Sequence, residues 1–291
     1  PDRAGAFADD HHDMTAAPDI EALLDHGLDA VYVCVPPFAH GPVEDGLLES
    51  GLPLFIEKPP AADLATAERI GSALLARSTV TRVGLHWRLG EPVRRARELL
   101  AGRTVRLVQG TWWDKVPPVP WWTDPARSGG QVVEQAVHVL DLARVLVGEV
   151  SEVSAIADSR SAGAHASGVA PATAALMRFG CGALGTLTTT CALSWKAQAG
   201  LRVVADGAVI DVSEGSVQVN GPDGTRRWTA DPDDARVHAD RAFVDAVRDA
   251  AQGGGRAGEP ADLPDYAEAL RSHRLACAVA RAVTSGTVEH P

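Results

Sequence analysis

Three short apolar stretches in the first third of the chain constrain the fold more than any other feature. Asp29-Ala30-Val31-Tyr32-Val33-Cys34-Val35-Pro36-Pro37 is continuous, β-branched and ended by prolines, which predicts a strand buried on both faces. Leu52–Glu57, stopped by Lys58-Pro59-Pro60, and Val80–His86 predict two more strands. Helices are predicted between them, over 41–51 with its end at Gly51 and over Ala62–Arg77. A helix capped by Asp19 is predicted before them, within Ala16–Gly27. Strands separated by helices of about 10–15 residues form right-handed βαβ units and hence a parallel sheet.

The pattern changes after Arg88. Helices are predicted over Glu91–Ala101 and Gly129–Gly148, with an antiparallel strand at Thr104–Trp113 between them. Strands follow at about 149–159, 172–179, 183–193, 200–205, 208–213, 216–220 and 225–229, separated by glycine turns such as Asp206-Gly207. Helices at Arg236–Gln252 and Pro264–Thr284 close the chain. Such a run of strands predicts an α+β unit with a mainly antiparallel open sheet. One face of that sheet is covered by helices and the other is open to a partner.

Charge and composition narrow the function. With 27 Lys+Arg against 38 Asp+Glu the net charge is -11, and no basic run stands out. This argues against nucleic acid and against membrane surfaces. No uncharged apolar stretch reaches the roughly 18 residues of a membrane span, and no signal peptide is visible, so a cytoplasmic protein is expected. Cys34, Cys181, Cys191 and Cys277 lie far apart and predict buried free thiols in a reducing compartment. Arginine supplies nearly all the positive charge. The only lysines are Lys58, Lys115 and Lys196, a mild mark of positions where a compact, pKa-adaptable charge is wanted.

Few residues carry candidate chemistry. Glu57-Lys58-Pro59 stands at the carboxyl end of a parallel strand, where open α/β sheets bind ligands. A plain strand-end salt bridge is the alternative. On a regular helix Glu134, His138 and Asp141 share one face, so a carboxylate one turn away holds the histidine tautomer. The alternatives are a satisfied core histidine or an incomplete metal set, and no metal is expected. The one G-x-G-x-x-G match, Gly253 to Gly258, follows a helix instead of a strand and reads as a loop. Trp112-Trp113 and Trp121-Trp122 bracket the proline-rich Val116–Pro120 and either stack on a sugar ring or cover the core. His11-His12-Asp13 reads as solvated surface.

Taken in order, Asp29–Pro37 with His40, Glu57-Lys58-Pro59, Val83-Gly84 with Arg88, and Gly129-Gly130 through Glu134, His138 and Asp141 resemble the Gfo/Idh/MocA oxidoreductases. That family includes glucose–fructose oxidoreductase and inositol dehydrogenases. The resemblance runs from about residue 15 to the end. It implies a partial Rossmann domain at 1–88 binding NAD or NADP, and a substrate-binding and oligomerisation α/β domain at 89–291. It implies Lys58, His138 and Glu134 as catalytic groups, with Glu134 standing where the family usually has Asp. Pro36, Pro37, His40, Glu57 and Lys58 would face the cofactor. Arg88, Trp113, Trp122 and Asp141 would face a sugar, polyol or inositol-like substrate. A homo-oligomer, dimer or tetramer, through the C-terminal sheet is implied as well.

The family's first strand, glycine-rich turn, first helix and second strand precede the region matched here. Pro1–Asp10 reads as the tail of the helix after that second strand, and Pro1 in place of Met agrees with a fragment lacking on the order of 30–40 residues, about one βαβ start. The expected function is hydride transfer between a nicotinamide and a secondary alcohol or ketone. A non-catalytic binding or assembly protein that has lost the cofactor is the alternative. A metal hydrolase built on Glu134 and His138 lacks further ligands and leaves Lys58 without a role.

Overall fold

Each predicted βαβ step forms, with short strands. The structure, a computed structural model, describes residues 2–158, 168–252 and 263–291. The G-x-G-x-x-G match at Gly253 to Gly258 lies outside the described residues, as does the last residue of the strand expected at 149–159. Helices α1 (Asp2–Asp9) and α2 (Ile20–Leu24) lead in, α2 starting where the Asp19 carboxylate accepts the Ala22 N–H. Strands β1 (Val31–Val33), β2 (Leu54–Ile56) and β3 (Thr81–Val83) then form a parallel sheet in that order. Helices α3 (Pro42–Leu47) and α4 (Leu64–Ala76) are the crossovers.

The first strand differs from expectation. Tyr32 on β1 remains 44% exposed, so β1 is not buried on both faces. Its ring stacks on Phe55 at 4.8 Å and meets the edge of Phe243 at 5.1 Å. One helix covers this side, and it leaves the ring's outer edge open. Cys34, just past the strand, is exposed, as is Cys181 in a turn; Cys191 and Cys277 are buried. Two of the four thiols therefore depart from the buried expectation.

The second half begins with α5 (Glu91–Leu100) and β4 (Val105–Lys115), followed by the short α6 (Pro125–Ser128). A π-helical turn at Val132–Ala136 leads into α7 (Val137–Val147). The remaining strands are β5 (Val150–Ala157), β6 (Ala172–Phe179), β7 (Leu184–Leu193), β8 (Gln198–Ala205), β9 (Ala208–Val212), β10 (Ser216–Gly221) and β11 (Gly224–Thr229). They form an eight-stranded sheet with the order β11-β10-β9-β8-β4-β7-β6-β5. β4 is antiparallel to β8 but parallel to β7, because the chain makes its excursion through α6, α7, β5 and β6 before returning along β7.

The inner face of this sheet is the core. Val108, Leu187, Val203 and Ile210 are buried there. α7 crosses β4 closely: a Cβ on Gly110 would fall 2.9 Å from Val139 Cγ1. Gln109, Thr111 and Trp113 point to the opposite, open face, as strand alternation requires.

Helices α8 (Pro232–Ala251) and α9 (Tyr266–Ser285) return to the first sheet. α8 supplies Phe243 against Phe55. At the start of α9 the Tyr266 N–H donates to Thr81 Oγ1 at 3.0 Å, and further along Cys277 is buried. Both helices therefore cross the division expected at residue 88.

α9 also carries His273, fully buried, with Nε2 near the Asp63 carbonyl at 3.4 Å and Nδ1 without a partner. Burial outweighs the pull of Asp63 and lowers its pKa from 6.5 to about 4. The unfolded chain therefore takes up this proton first on acidification. Stability is full above about pH 6.5 and falls by about 3 kcal/mol as the pH drops toward 4, levelling below that. Urea unfolding at pH 7 and pH 4.5 should show this loss, and His273→Asn should reduce the difference between the two pH values. An equal loss in the variant assigns the acid sensitivity to other groups.

Candidate active site

β2 ends in Glu57-Lys58, and the Lys58–Pro59 peptide is cis. The Glu57 carboxylate folds back to accept the Lys58 N–H at 3.1 Å. It lies so close over Gly84, after β3, that a Cβ there would fall 2.8 Å from Oε2. Lys58 Nζ donates to the Glu134 carbonyl at 2.9 Å and to Glu134 Oε1 at 3.2 Å. Trp122 Nε1 donates to Glu134 Oε2 at 2.8 Å, so both carboxylate oxygens are engaged.

Glu134 reaches Lys58 because its helix is irregular there. Gly129 has φ +75, and a Cβ would fall 2.6 Å from the Ala62 carbonyl oxygen, so only glycine starts this segment. The π turn that follows widens the helix at Glu134. Glu134, His138 and Asp141, expected on one helix face, take three different sets of partners. Glu134 turns to Lys58 and Trp122, Asp141 to Arg88, and His138 to a set of aromatic rings.

His138 lies nearly parallel to Trp87 at 5.3 Å and to Trp112 at 6.1 Å, with His86 edge-on at 5.2 Å. Its Nδ1 is buried without a hydrogen-bond partner, so no carboxylate holds its tautomer. Burial is the first cause of its low proton affinity, and the charges of Lys58, His86, Lys196 and Arg236 add to it. They hold the imidazole well below the ordinary histidine value, and the ring is uncharged at neutral pH.

A second polar group lies beside it. His86 Nδ1 donates to the Gly84 carbonyl at 3.2 Å, and Nε2 is 3.3 Å from Glu214 Oε1. Glu214, in the turn between β9 and β10, also meets Arg236 of α8 at 2.9 Å. Burial raises the Glu214 pKa, but His86, Lys196 and Arg236 outweigh it and hold the carboxyl below its ordinary value.

The residues expected at the site therefore separate into groups. Lys58, Glu134 and His138 come together, with Glu57 behind Lys58. Pro36 and Pro37 lie at the carboxyl end of β1. His40 is buried, with Nδ1 2.6 Å from Glu44 Oε1 at the start of α3. Arg88 and Asp141, expected to face the substrate, bond each other in the interior. The guanidinium grips the carboxylate with Nε and Nη2, both side chains are buried, and Ser272 Oγ donates to Asp141 Oδ1 at 2.6 Å. Trp122 is 0% exposed and supports Glu134, so it offers no face for stacking. Trp113 lies on the open face of the sheet, its Nε1 donating to Thr188 Oγ1 at 3.2 Å. Its neighbour Trp112 takes the inner position.

Sequence reasoning missed His86, Trp87, Glu214 and Arg236, and it marked Trp112 and Lys196 without placing them beside His138. Two signals were present: His86 stands at a strand end as Lys58 does, and Lys196 is one of the few lysines. The carboxyl ends of β1, β2 and β3 line one edge, the place where open α/β sheets bind ligands, and Lys58 stands there. Among the described residues no glycine-rich turn leads from a strand into a helix N-terminus.

Family models agree with this geometry. The model described as "Oxidoreductase family, NAD-binding Rossmann fold" matches residues 2–85, and the "GFO/IDH/MocA C-terminal domain" matches residues 93–225. The chain belongs to the Gfo/Idh/MocA oxidoreductase family. It is 32% identical over 161 residues to the myo-inositol dehydrogenase Hyg17 of Streptomyces leeuwenhoekii, covering 53% of this chain and 48% of that protein. It is 27% identical over 136 residues to scyllo-inositol 2-dehydrogenase (NAD(+)) of Bacillus subtilis, covering 46% and 40% respectively. The chain spans about half the length of the curated relatives it matches. In fold it is similar to levoglucosan dehydrogenase in complex with NADH and levoglucosan, with TM-score 0.83 at 18% identity over 100% of this chain and 88% of that one.

The buried Arg88–Asp141 pair yields a direct test. Asp141→Ala removes the nearer of the two carboxylates that face the buried Arg88 guanidinium, leaving Glu268 at 3.6 Å, and should cost about 3 kcal/mol in urea unfolding. The double replacement Arg88→Met with Asp141→Leu should recover most of that loss. A single variant as stable as the parent would contradict the burial described here.

Proposed function

We propose that this family member works as a nicotinamide-dependent dehydrogenase or reductase on a secondary alcohol or ketone of a sugar, polyol or inositol-like molecule. The observation that carries the reading is the meeting of Lys58, from the end of β2, with the π turn that leads to His138. The cofactor is NAD or NADP, and the NAD named for the relatives favours the first. When bound, the nicotinamide supplies the hydride chemistry.

The chain's own residues do the rest. The ammonium of Lys58 hydrogen-bonds the reacting oxygen and stabilises the alkoxide charge that develops there. Glu134 and its carbonyl hold that ammonium in place. His138, uncharged at neutral pH, takes the hydroxyl proton on Nε2 in oxidation and returns it in reduction. Trp87 and Trp112 cover the ring and exclude water from one side of it. Pro36, Pro37 and Glu57 line the cofactor side.

Two further features fit this reading. Ile156, Leu176 and Leu184 are exposed on the outer sheet, and that open face suits a second copy of the chain; sedimentation reads this directly. No described helix is long and apolar enough to cross a membrane. Free thiols, two of them exposed, suit the reducing cytoplasm.

Titration with NADH and NADPH, followed by tryptophan fluorescence, is the first test. Saturable binding is expected; a folded chain that binds neither is a binding or assembly part instead of an enzyme. Given turnover of a polyol such as myo-inositol, Lys58→Ala and His138→Ala should each lower kcat by about 10²–10⁴-fold. Because the His138 pKa is depressed, kcat/KM for oxidation should stay level as the pH falls through 6.5 and decline only below it. A fall centred at 6.5 removes His138 as the base.

A further inference from the structure

Lys196 lies in the turn between β7 and β8, over the aromatic rings of the site. Its Nζ is 4.6 Å from the centre of the Trp112 ring and 5.6 Å from that of Trp87. Both indoles stack against His138. The nearest carboxylate, Glu214, is 4.0 Å away and is already shared by Arg236 at 2.9 Å and His86 at 3.3 Å. Asp233 pairs with Arg236 on the exposed side of α8. No described residue accepts a hydrogen bond from Lys196 Nζ. The ammonium is thus held by indole faces, with its N–H donors left for a ligand.

Cationic and ionisable groups reach toward His138 from several elements. Lys58 comes from the end of β2, His86 from the turn after β3, Lys196 from the β7–β8 turn and Arg236 from α8. The two carboxylates nearby, Glu134 and Glu214, are each bonded by neighbouring donors. With those carboxylates engaged and no described acceptor on the Lys196 ammonium, an acidic ligand gains an attraction here that a neutral polyol does not.

We propose that Lys196 is the anion-binding pole of the substrate site, and that the substrate is an anionic sugar or polyol: a sugar acid or a sugar phosphate. The proposal rests on the dehydrogenase reading above. Lys58 takes the reacting hydroxyl, and Lys196 takes the acid group on another part of the same molecule. A lysine is a point charge and serves a carboxylate or a phosphate alike.

The test is ligand binding to the full chain without cofactor, followed by tryptophan fluorescence, since Trp87 and Trp112 lie beneath Lys196. The probes are D-glucuronate, glucose 6-phosphate and glucose. At least one acidic sugar should bind about tenfold or more tightly than glucose, with a preference that weakens as salt is added. The preference should vanish in Lys196→Gln and persist, reduced, in Lys196→Arg. A preference for only one acidic probe assigns the group as carboxylate or phosphate. Equal binding of all three, no binding of any, or a preference that survives Lys196→Gln overturns the proposal. Lys196 is half exposed, so the thermal midpoint of the glutamine variant should match the parent. NADH binding is measured separately: a chain that binds NADH but no acidic sugar loses this proposal and keeps the dehydrogenase reading.

Discussion

The buried ion pair between Arg88 and Asp141 ties the two halves of the site together. Arg88 belongs to the turn after β3, Asp141 to α7, and Ser272 of α9 adds a hydrogen bond to the same carboxylate. Away from water, neither charge is tolerated alone, so the three elements are held to one mutual arrangement. The turn that carries Arg88 also carries His86 and Trp87, and the helix that carries Asp141 also carries His138. The ring contacts of His138 therefore depend on a pair buried behind them.

A second constraint acts on Glu134. Gly129 lets the chain pass against the Ala62 carbonyl, and in the π turn that follows the Glu134 carboxylate is engaged by Lys58 and Trp122. The carboxylate that might have served the histidine serves Lys58 instead. His138 is left buried, uncharged and without a carboxylate partner. Its neutral state comes from burial and surrounding positive charge, an arrangement suited to a group that must accept a proton.

Much of the architecture was legible in the sequence. The strand–helix alternation, the antiparallel run and both closing helices lie close to their predicted ranges, because strand alternation and capping residues are local signals. The placement of Lys58 at a strand end and of His138 in a buried helix was legible from type and position. The side on which a residue falls was harder to read. Trp112 and Trp113 are adjacent, and strand alternation sends one to each face; choosing between them requires knowing which face α7 covers. Arg88 and Asp141 looked like site residues because charged groups near a ligand edge and charged groups in a buried pair have the same composition.

By itself the sequence determined the parallel strands, the open antiparallel sheet, the lysine at a strand end and the histidine in a buried helix. Each rests on patterns within a few residues. Only the tertiary structure decided the partners: Lys58 with Glu134 across 76 positions, His86 with Glu214 across 128, and Lys196 over Trp112. Those pairings depend on how the strands are ordered and how α8 and α9 return to the first sheet. Contacts between residues so far apart in the chain arise from packing, which no local pattern encodes.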